Sequence, residues 1–470
     1  MARTLRYRQV VFWSLSLAVA MAALLAPVWW NGFPLVFFDT GGYVRRVLTM
    51  ELLAGRSIFY GLYLYAASLG WRFWLGPVLA QGLVCLWLLR LLLRLEGLPH
   101  GPLPVAAVTV VLGLATGIAW TTGQLMPDAW VALAVVALFL LGYRFSGLGG
   151  GERCLLMLVI LIALLSHMSA LALAIGLVAV TLGLRLLRWR HHWPHEVRLL
   201  PPLAAVAAAL ALMPLLHFLL VGKAVYTPGG PVYVFGRLVQ AGIAQRWLQE
   251  HCPVPGIKLC GLQERIPRNG DQFLWGKDSA FRDLGEWSGR ADAELGYLVR
   301  ASIVAYPGLA LSTALQATIH QALMVKTADQ LGEIHNDTRN VFTNILPRAT
   351  ARAFNAARQQ RGEITPALSA ALNAVHVPVA WLSCLGLPLI FVWALRKRRY
   401  GLATLALFVF FALLGNAFIC GALSNPHDRY QSRLVWLASL VVVMAVMAQR
   451  QGPGIPAALT ADYFFRRRAS

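Results

Sequence analysis

Long apolar blocks, separated by short basic clusters, restrict this chain more than any single motif does. Of its 470 residues 58% are hydrophobic and only 13% are charged, with a mean hydropathy of +0.62. A soluble domain carries roughly a quarter charged residues and about half apolar ones. The balance therefore excludes a water-soluble globular enzyme and fits a polytopic membrane protein. The net charge of +21 would ordinarily raise nucleic-acid binding. Here the positives gather between apolar blocks, the arrangement that orients membrane helices, so no nucleic-acid partner is expected.

The first block, Val10 to Trp30, follows Arg3, Arg6 and Arg8 and has small residues between Ala18 and Ala26, as a cleaved signal peptide would. Its apolar length suits a spanning helix, and many spans follow, so an uncleaved first helix is the expectation. Further blocks lie near 73–95, 103–120, 128–143, 154–184, 202–222, 374–395, 401–421 and 434–449. If 154–184 crosses once, Arg185, Arg188, Arg190 and Arg198 fall opposite Arg3, Arg6 and Arg8, and the later cluster Arg396, Lys397, Arg398, Arg399 also falls on the wrong side. That block is too long for one ordinary span and is interrupted by Ser166-His167-Met168-Ser169. Read as a hairpin of two short helices meeting at the tetrad, it repairs every later loop.

The expected fold is therefore an all-α polytopic membrane protein with about ten transmembrane helices, both termini inside. Residues 1–222 form an N-terminal membrane module with a first outer loop at 31–72, residues 223–372 a large extracytoplasmic loop, and 373–470 a C-terminal membrane module. The cytoplasmic side then also holds Arg90, Arg94, Arg144, Arg153, Arg450, Arg466, Arg467 and Arg468. The short outer segments keep Arg45, Arg46, Arg56, Arg72, Arg429 and Arg433.

This topology brings the polar residues that look least like loop filler to one face. They are Asp39 in Phe37-Phe38-Asp39-Thr40-Gly41-Gly42-Tyr43, Gln124 and Asp128 in Gln124-Leu125-Met126-Pro127-Asp128, the Ser166-His167 tip, and Asn425-Pro426-His427-Asp428-Arg429-Tyr430-Gln431. In the first loop, Tyr43 to Ala54 has helical spacing with Val44, Val47, Leu48 and Leu52 apolar and Arg45, Arg46 and Glu51 polar, the pattern of a helix lying in the interface plane. Tyr60, Tyr63, Tyr65, Trp71 and Trp74 read as an aromatic belt before the second span.

The large loop holds twelve of the 20 acidic residues. Tyr226-Thr227-Pro228-Gly229-Gly230-Pro231 is a turn-rich exit from the membrane. Ala291 to Val325 and Ile345 to Leu372 are helical in pattern, so a mainly helical outer layer is expected. Of the six cysteines, Cys85, Cys154, Cys252, Cys260, Cys384 and Cys420, none shows CxxC spacing. Only Cys252 and Cys260 lie in a polar stretch, bracketing a loop that an oxidising compartment would close. No internal repeat is visible, which counts against an inverted-repeat transporter.

An acidic residue just beyond helix one, an amphipathic helix after it, many spans, a large outer loop and a late His/Arg/Tyr cluster together resemble the GT-C superfamily of integral-membrane glycosyltransferases. The resemblance implies a polyprenyl-phosphate-linked sugar donor, a glycan, lipid or protein acceptor in the envelope, and residence in a bacterial inner (plasma) membrane. Residue by residue, Asp39 matches the family's first-loop acid. The chain has a single acid there, not an Asp-Asp or Asp-Glu pair, and lacks the WWD-type motif of oligosaccharyltransferases. A divalent metal ion and the nature of the acceptor are therefore left open.

Glycosyl transfer needs a base to take a proton from the acceptor, and cations to hold the departing lipid phosphate. Asp39, with Asp128, offers the carboxylate. Arg429 and Arg433, spaced i,i+4 on one helical face, offer planar forks that match phosphate oxygens, with His427 and Tyr430 beside them. His167, Gln124 and Gln431 are candidates for lining the cavity. Each has a plainer alternative: Asp39 and Asp128 as helix caps, His167 as a hydrogen-bonded structural residue, and 427–433 as an interface anchor. Two other functions stand beside the transferase, a transporter or flippase of a lipid-linked glycan and a non-catalytic envelope assembly protein. Few central ionisable groups interrupt the spans, which weakens the transporter.

Overall fold

A computed structural model describes residues 2–51, 55–191, 196–227, 229–333 and 335–451. Leu52, Ala54, Pro228 and the cluster Arg466, Arg467, Arg468 lie outside the described residues, as do the side chains of Arg3, Arg6, Arg8, Arg188 and Arg190. Among the described residues the regular structure is helical, joined by one isolated parallel bridge between Leu35 and Gln124.

The protein is a multi-pass helical membrane protein. Fifteen helices matter below: α1 (Ala2–Leu24), α2 (Thr40–Thr49), α3 (Ile58–Ala67), α4 (Leu75–Leu95), α5 (Pro102–Ala115), α6 (Asp128–Tyr143), α7 (Gly150–Ser166), α8 (Met168–His191), α9 (Leu200–Val221), α10 (Gly230–Gln240), α11 (Asp292–Ala305), α12 (Pro307–Leu323), α13 (Pro366–Arg396), α14 (Tyr400–Ala422) and α15 (Asp428–Arg450). Six of them, α4, α8, α9, α13, α14 and α15, are long and apolar enough to cross a bilayer, and α5, α6 and the described part of α1 are shorter apolar helices.

The block at 154–184 is two helices, as its length and polar interruption suggest. The chain breaks at His167, whose backbone is extended (φ −145°, ψ 120°). Its Nδ1 accepts the amide of Ser169 at 3.2 Å, so the imidazole caps the start of α8. At the centre of the molecule α6 is buried along its whole length, from Asp128 to Tyr143. A helix that is apolar on every side belongs there.

Four local expectations are corrected. The amphipathic helix after Asp39 runs from Thr40 to Thr49 and stops where Met50 turns left-handed; Val44 is buried and Arg45 exposed as the pattern suggests, but Arg46 is fully buried and Leu48 is 45% exposed. The aromatic belt is largely core, since Tyr60, Trp71 and Trp74 are buried and only Tyr65 is widely exposed. Tyr60 bonds Gln81, and Trp74 donates to Thr350 across the fold. The helix expected over Ala291 to Val325 bends by 103° between α11 and α12, because Pro307 has no amide for an unbroken ladder. The helix expected from Ile345 begins only at Pro366; a shorter one, Arg348–Asn355, follows Pro347.

The 223–366 segment is not a separate layer throughout. Residues 232–298 form their own small core around Phe235, Trp247, Phe273, Phe281 and Leu295, closed on one side by the Cys252–Cys260 disulfide. Beyond the bend, α12 lies along α14 and presents Leu311, Leu315, Ile319 and Leu323, at four-residue spacing, on its exposed side. The end of α12 is fixed by Gln321, which donates to the His427 carbonyl at 2.8 Å and accepts the His427 amide at 2.9 Å.

Candidate functional site

The loop that carries Asp39 is held by the distant 331–361 segment. Gln359 bonds both the amide and the carbonyl of Val36, and its own amide donates to Asn31. Thr338 accepts the Gly41 amide at 2.9 Å and faces the Phe37 and Phe38 carbonyls at the same distance. Only glycine fits at 41, since a Cβ there would stand 2.6 Å from the Thr338 Cα. The chain is thereby pinned on both sides of Asp39.

Asp39 precedes α2, yet its side chain caps nothing. Its Oδ1 accepts from Arg56 Nε at 3.0 Å and Nη2 at 2.7 Å, and its Oδ2 lies 3.6 Å from Arg429 Nη2. Burial pushes this carboxyl up, but Arg56 and Arg429 outweigh it and hold the group below the usual carboxylate range. Asp39 is therefore a carboxylate at neutral pH, gripped firmly on one oxygen and loosely on the other.

Arg429 is the looser hand. One face of its guanidinium lies over the Phe37 ring at 4.3 Å, Nη2 donates to the Tyr430 hydroxyl at 3.1 Å, and Nη1 is buried without a partner among the described residues. One turn on, Arg433 is differently placed. Its Nη1 donates to Asp128 at 2.9 Å, and Nη2 to Ser169 at 2.9 Å and Asn416 at 3.0 Å, all within the packed helices. Ser169 also meets His167 Nδ1 at 2.8 Å, so Asp128, Arg433, Ser169 and His167 form one chain of polar contacts joining α6, α8 and α15.

A cavity of about 20 Å³ lies between these two arginines, lined by Phe37, Gln124, Asp128, Asp329, Arg429 and Arg433 among others. It has room for a water molecule and no more. Gln124, Asp128, Arg429 and Arg433 thus meet at one point. Gln431 instead bonds Asn416 and the Leu413 carbonyl inside the helix packing, and His427 faces Asp271 at 3.7 Å on the other side. Tyr430 stands between the arginines, its ring 4.8 Å from Arg429 and 5.4 Å from Arg433.

Among the described residues no group of three or more His, Cys, Asp or Glu side chains is arranged to hold a metal ion. Of the two acids that line the cavity, Asp128 is paired with Arg433 and Asp329 accepts the backbone amide of Arg429 at 3.3 Å, while Asp39 is paired with Arg56.

Two residues of this neighbourhood escape a reading of the sequence. Arg56 has no motif around it; its signal is its sign, a positive charge in a short loop assigned to the outer side, where the charge rule disfavours it. His335 sits in the middle of the large loop, buried, its ring 4.0 Å from Phe38 and 5.3 Å from Phe37. Neither of its nitrogens has a hydrogen-bond partner among the described residues. Burial drives it down to about 4, so it is neutral at pH 7. No family model, curated protein or solved structure matches the chain.

Proposed function

We propose that the protein is a membrane glycosyltransferase of the GT-C kind, transferring a sugar from a polyprenyl-phosphate-linked donor to an envelope acceptor on the extracytoplasmic face of the bacterial inner membrane. The observation that supports this reading is the ionised Asp39 set between Arg56 and the half-free Arg429. Base and phosphate hand are then neighbours, as departure of a lipid phosphate and deprotonation of an acceptor require.

In this reading the resting Asp39 is a weak base because two cations stabilise its charge. A donor phosphate drawing Arg429 toward itself removes one of them, and the basicity of Asp39 rises as the donor seats. Arg56 stays and keeps the carboxylate aimed. Arg433 and Asp128 act as the tie between helices behind the site, so the phosphate falls to Arg429 with Tyr430 rather than to Arg433.

Ten crossings belong to the same reading: α1, α4, α5, α6, α7, α8, α9, α13, α14 and α15 in turn, with the termini in the cytoplasm. The test is to compare the envelope glycans of cells carrying the chain, lacking it, or carrying Asp39→Asn. The same sugar should be lost from the second and third. Identical glycans with and without the chain would end the transferase reading.

A further inference from the structure

Among the described residues Arg46 is the least explained charge. It lies in the middle of α2 with no exposed surface, and its Nε, Nη1 and Nη2 all lack a hydrogen-bond partner among the described residues. A guanidinium shut from water with no anion is among the costliest arrangements a fold can hold. Burial and the like charge of Arg56 lower Arg46 to about 9, which leaves it charged at neutral pH. It cannot escape the cost by shedding its proton.

Among the described residues no carboxylate pairs with it, but polar groups lie in the same part of the fold. The helix that carries Arg46 packs on α3, next to which Gly55 approaches the Tyr233 hydroxyl, and α3 carries Phe59 against the imidazole of His217 near the end of α9. His217 is also buried; its Nδ1 meets the Val225 carbonyl at 2.7 Å, so Nδ1 carries the proton and Nε2 is left as an unpartnered buried nitrogen. Phe59 stacks on that ring at 5.2 Å. The place is bounded by α2, by the start of α3 and by the chain leaving α9, where Thr227 accepts the Gly55 amide. Around it the surface is apolar: Leu48, Met50, Phe218, Leu219 and Tyr226 are exposed.

We infer that Arg46 forms a phosphate-binding site at the bilayer edge, with His217 of α9, which stacks on Phe59 of the α3 helix that packs against α2, as its second polar group, separate from Asp39 and Arg429. A phosphate supplies the missing negative charge to the three guanidinium donors in the fork geometry they present. A protonated phosphate oxygen donates to His217 Nε2. The exposed apolar residues on both flanking helices suit the tails of a lipid, while the polar contacts alone suit free phosphate, and the two are separable by experiment. This site does not rest on the transferase reading, since none of its residues takes part there.

The test uses purified full-length protein, delipidated in detergent, with dioleoyl phosphatidic acid, dioleoyl phosphatidylcholine and inorganic phosphate as probes. Native mass spectrometry and thermal unfolding report binding. Wild type should hold phosphatidic acid at least tenfold more tightly than phosphatidylcholine, and Arg46→Gln should lose that preference. His217→Gln should weaken it several-fold, and Arg45→Gln, on the exposed side of the same helix, should not. Competition by inorganic phosphate marks the site as one for the free ion; its failure to compete marks a lipid site. Lipid-free Arg46→Met should unfold at or above the temperature of lipid-free wild type, because it removes an uncompensated charge. Equal retention of phosphatidic acid by Arg46→Gln and wild type overturns the inference. So does wild type that shows no preference for phosphatidic acid and no response to phosphate, a result that needs no variant to fold.

Discussion

Arg433 reaches Asp128 at 2.9 Å with both side chains buried, which ties the N-terminal part of α15 to the first residue of α6. Their partners Ser169 and Asn416 extend the tie to α8 and α14. Such a pair contributes little over a well-packed apolar pair, but losing half of it leaves a charge stranded. Arg433→Met and Asp128→Leu should each cost about 3–5 kcal/mol. The double variant should recover most of that loss. Thermal unfolding of the four proteins in one detergent checks this, and two single losses that simply add would show that the pair is not the tie described.

The topology is tested by fusions to a reporter that works only outside the cytoplasm. Activity is expected after Gly229 and Asn425, and none after Arg198 or Arg398. A working fusion at Arg198 would remove the hairpin at His167 and with it the shared face for Asp39, Asp128 and Arg429.

Much of this architecture is legible in the sequence because hydropathy and charge act over whole segments. The break at His167 follows from a block too long to cross once. What stays hidden is set by single side chains. Nothing local marks Arg46 as buried, or Leu48 as exposed when Val44 one turn before it is buried, because helical spacing says which residues share a face and not how far along the helix its neighbours cover that face. The pairing of Asp39 with Arg56 is likewise invisible, since an Asp before a helix reads as a cap, and only the folded loop brings a guanidinium to it. Thr338 and Gln359 reach the first loop from some 300 residues away, a distance no periodicity spans.

His335 gives a pH prediction. Its folded value near 4 lies below the ordinary imidazole value of 6.5, so the unfolded chain binds the proton more readily. Its contribution to stability is complete above about pH 6.5 and declines as pH falls toward 4, by up to about 1.4 kcal/mol per pH unit. His335→Phe keeps an aromatic ring against Phe38 and removes the proton site. The variant should lose less stability than wild type between pH 6.5 and 4.5, and parallel curves would place the titration elsewhere.

The disulfide gives a local prediction. Cys252 and Cys260 close a short loop beside the 232–298 core, and loop-closure entropy suggests roughly 2–3 kcal/mol of stabilisation. Unreduced protein should be about 2 Da lighter than reduced protein, and Cys252→Ser should open this core to protease while the Arg433–Asp128 tie holds. Two free thiols in protein taken from the oxidising side of the membrane would remove the bond.

The sharpest prediction separates the two residues that meet at 3.6 Å, Asp39 and Arg429. Asp39→Asn keeps the size of the side chain and loses the charge and the basic lone pair. It should therefore fold, hold donor phosphate at least as well as wild type because Arg429 is released, and lose transfer by about 10²–10⁴-fold. Arg429→Ala should fail in the opposite way, by weaker binding of polyprenyl phosphate, and Arg429→Lys should restore binding only in part because it offers one point charge without the fork. Arg56→Gln is the third arm. With one cation gone, burial raises the Asp39 carboxyl, so the acid side of the pH–rate profile should move to higher pH. Binding measured with polyprenyl phosphate and turnover measured with the sugar-linked donor distinguish the three. Near-normal turnover by well-folded Asp39→Asn would eliminate it as the base, and unchanged donor affinity in Arg429→Ala would leave 427–433 as a membrane-edge anchor.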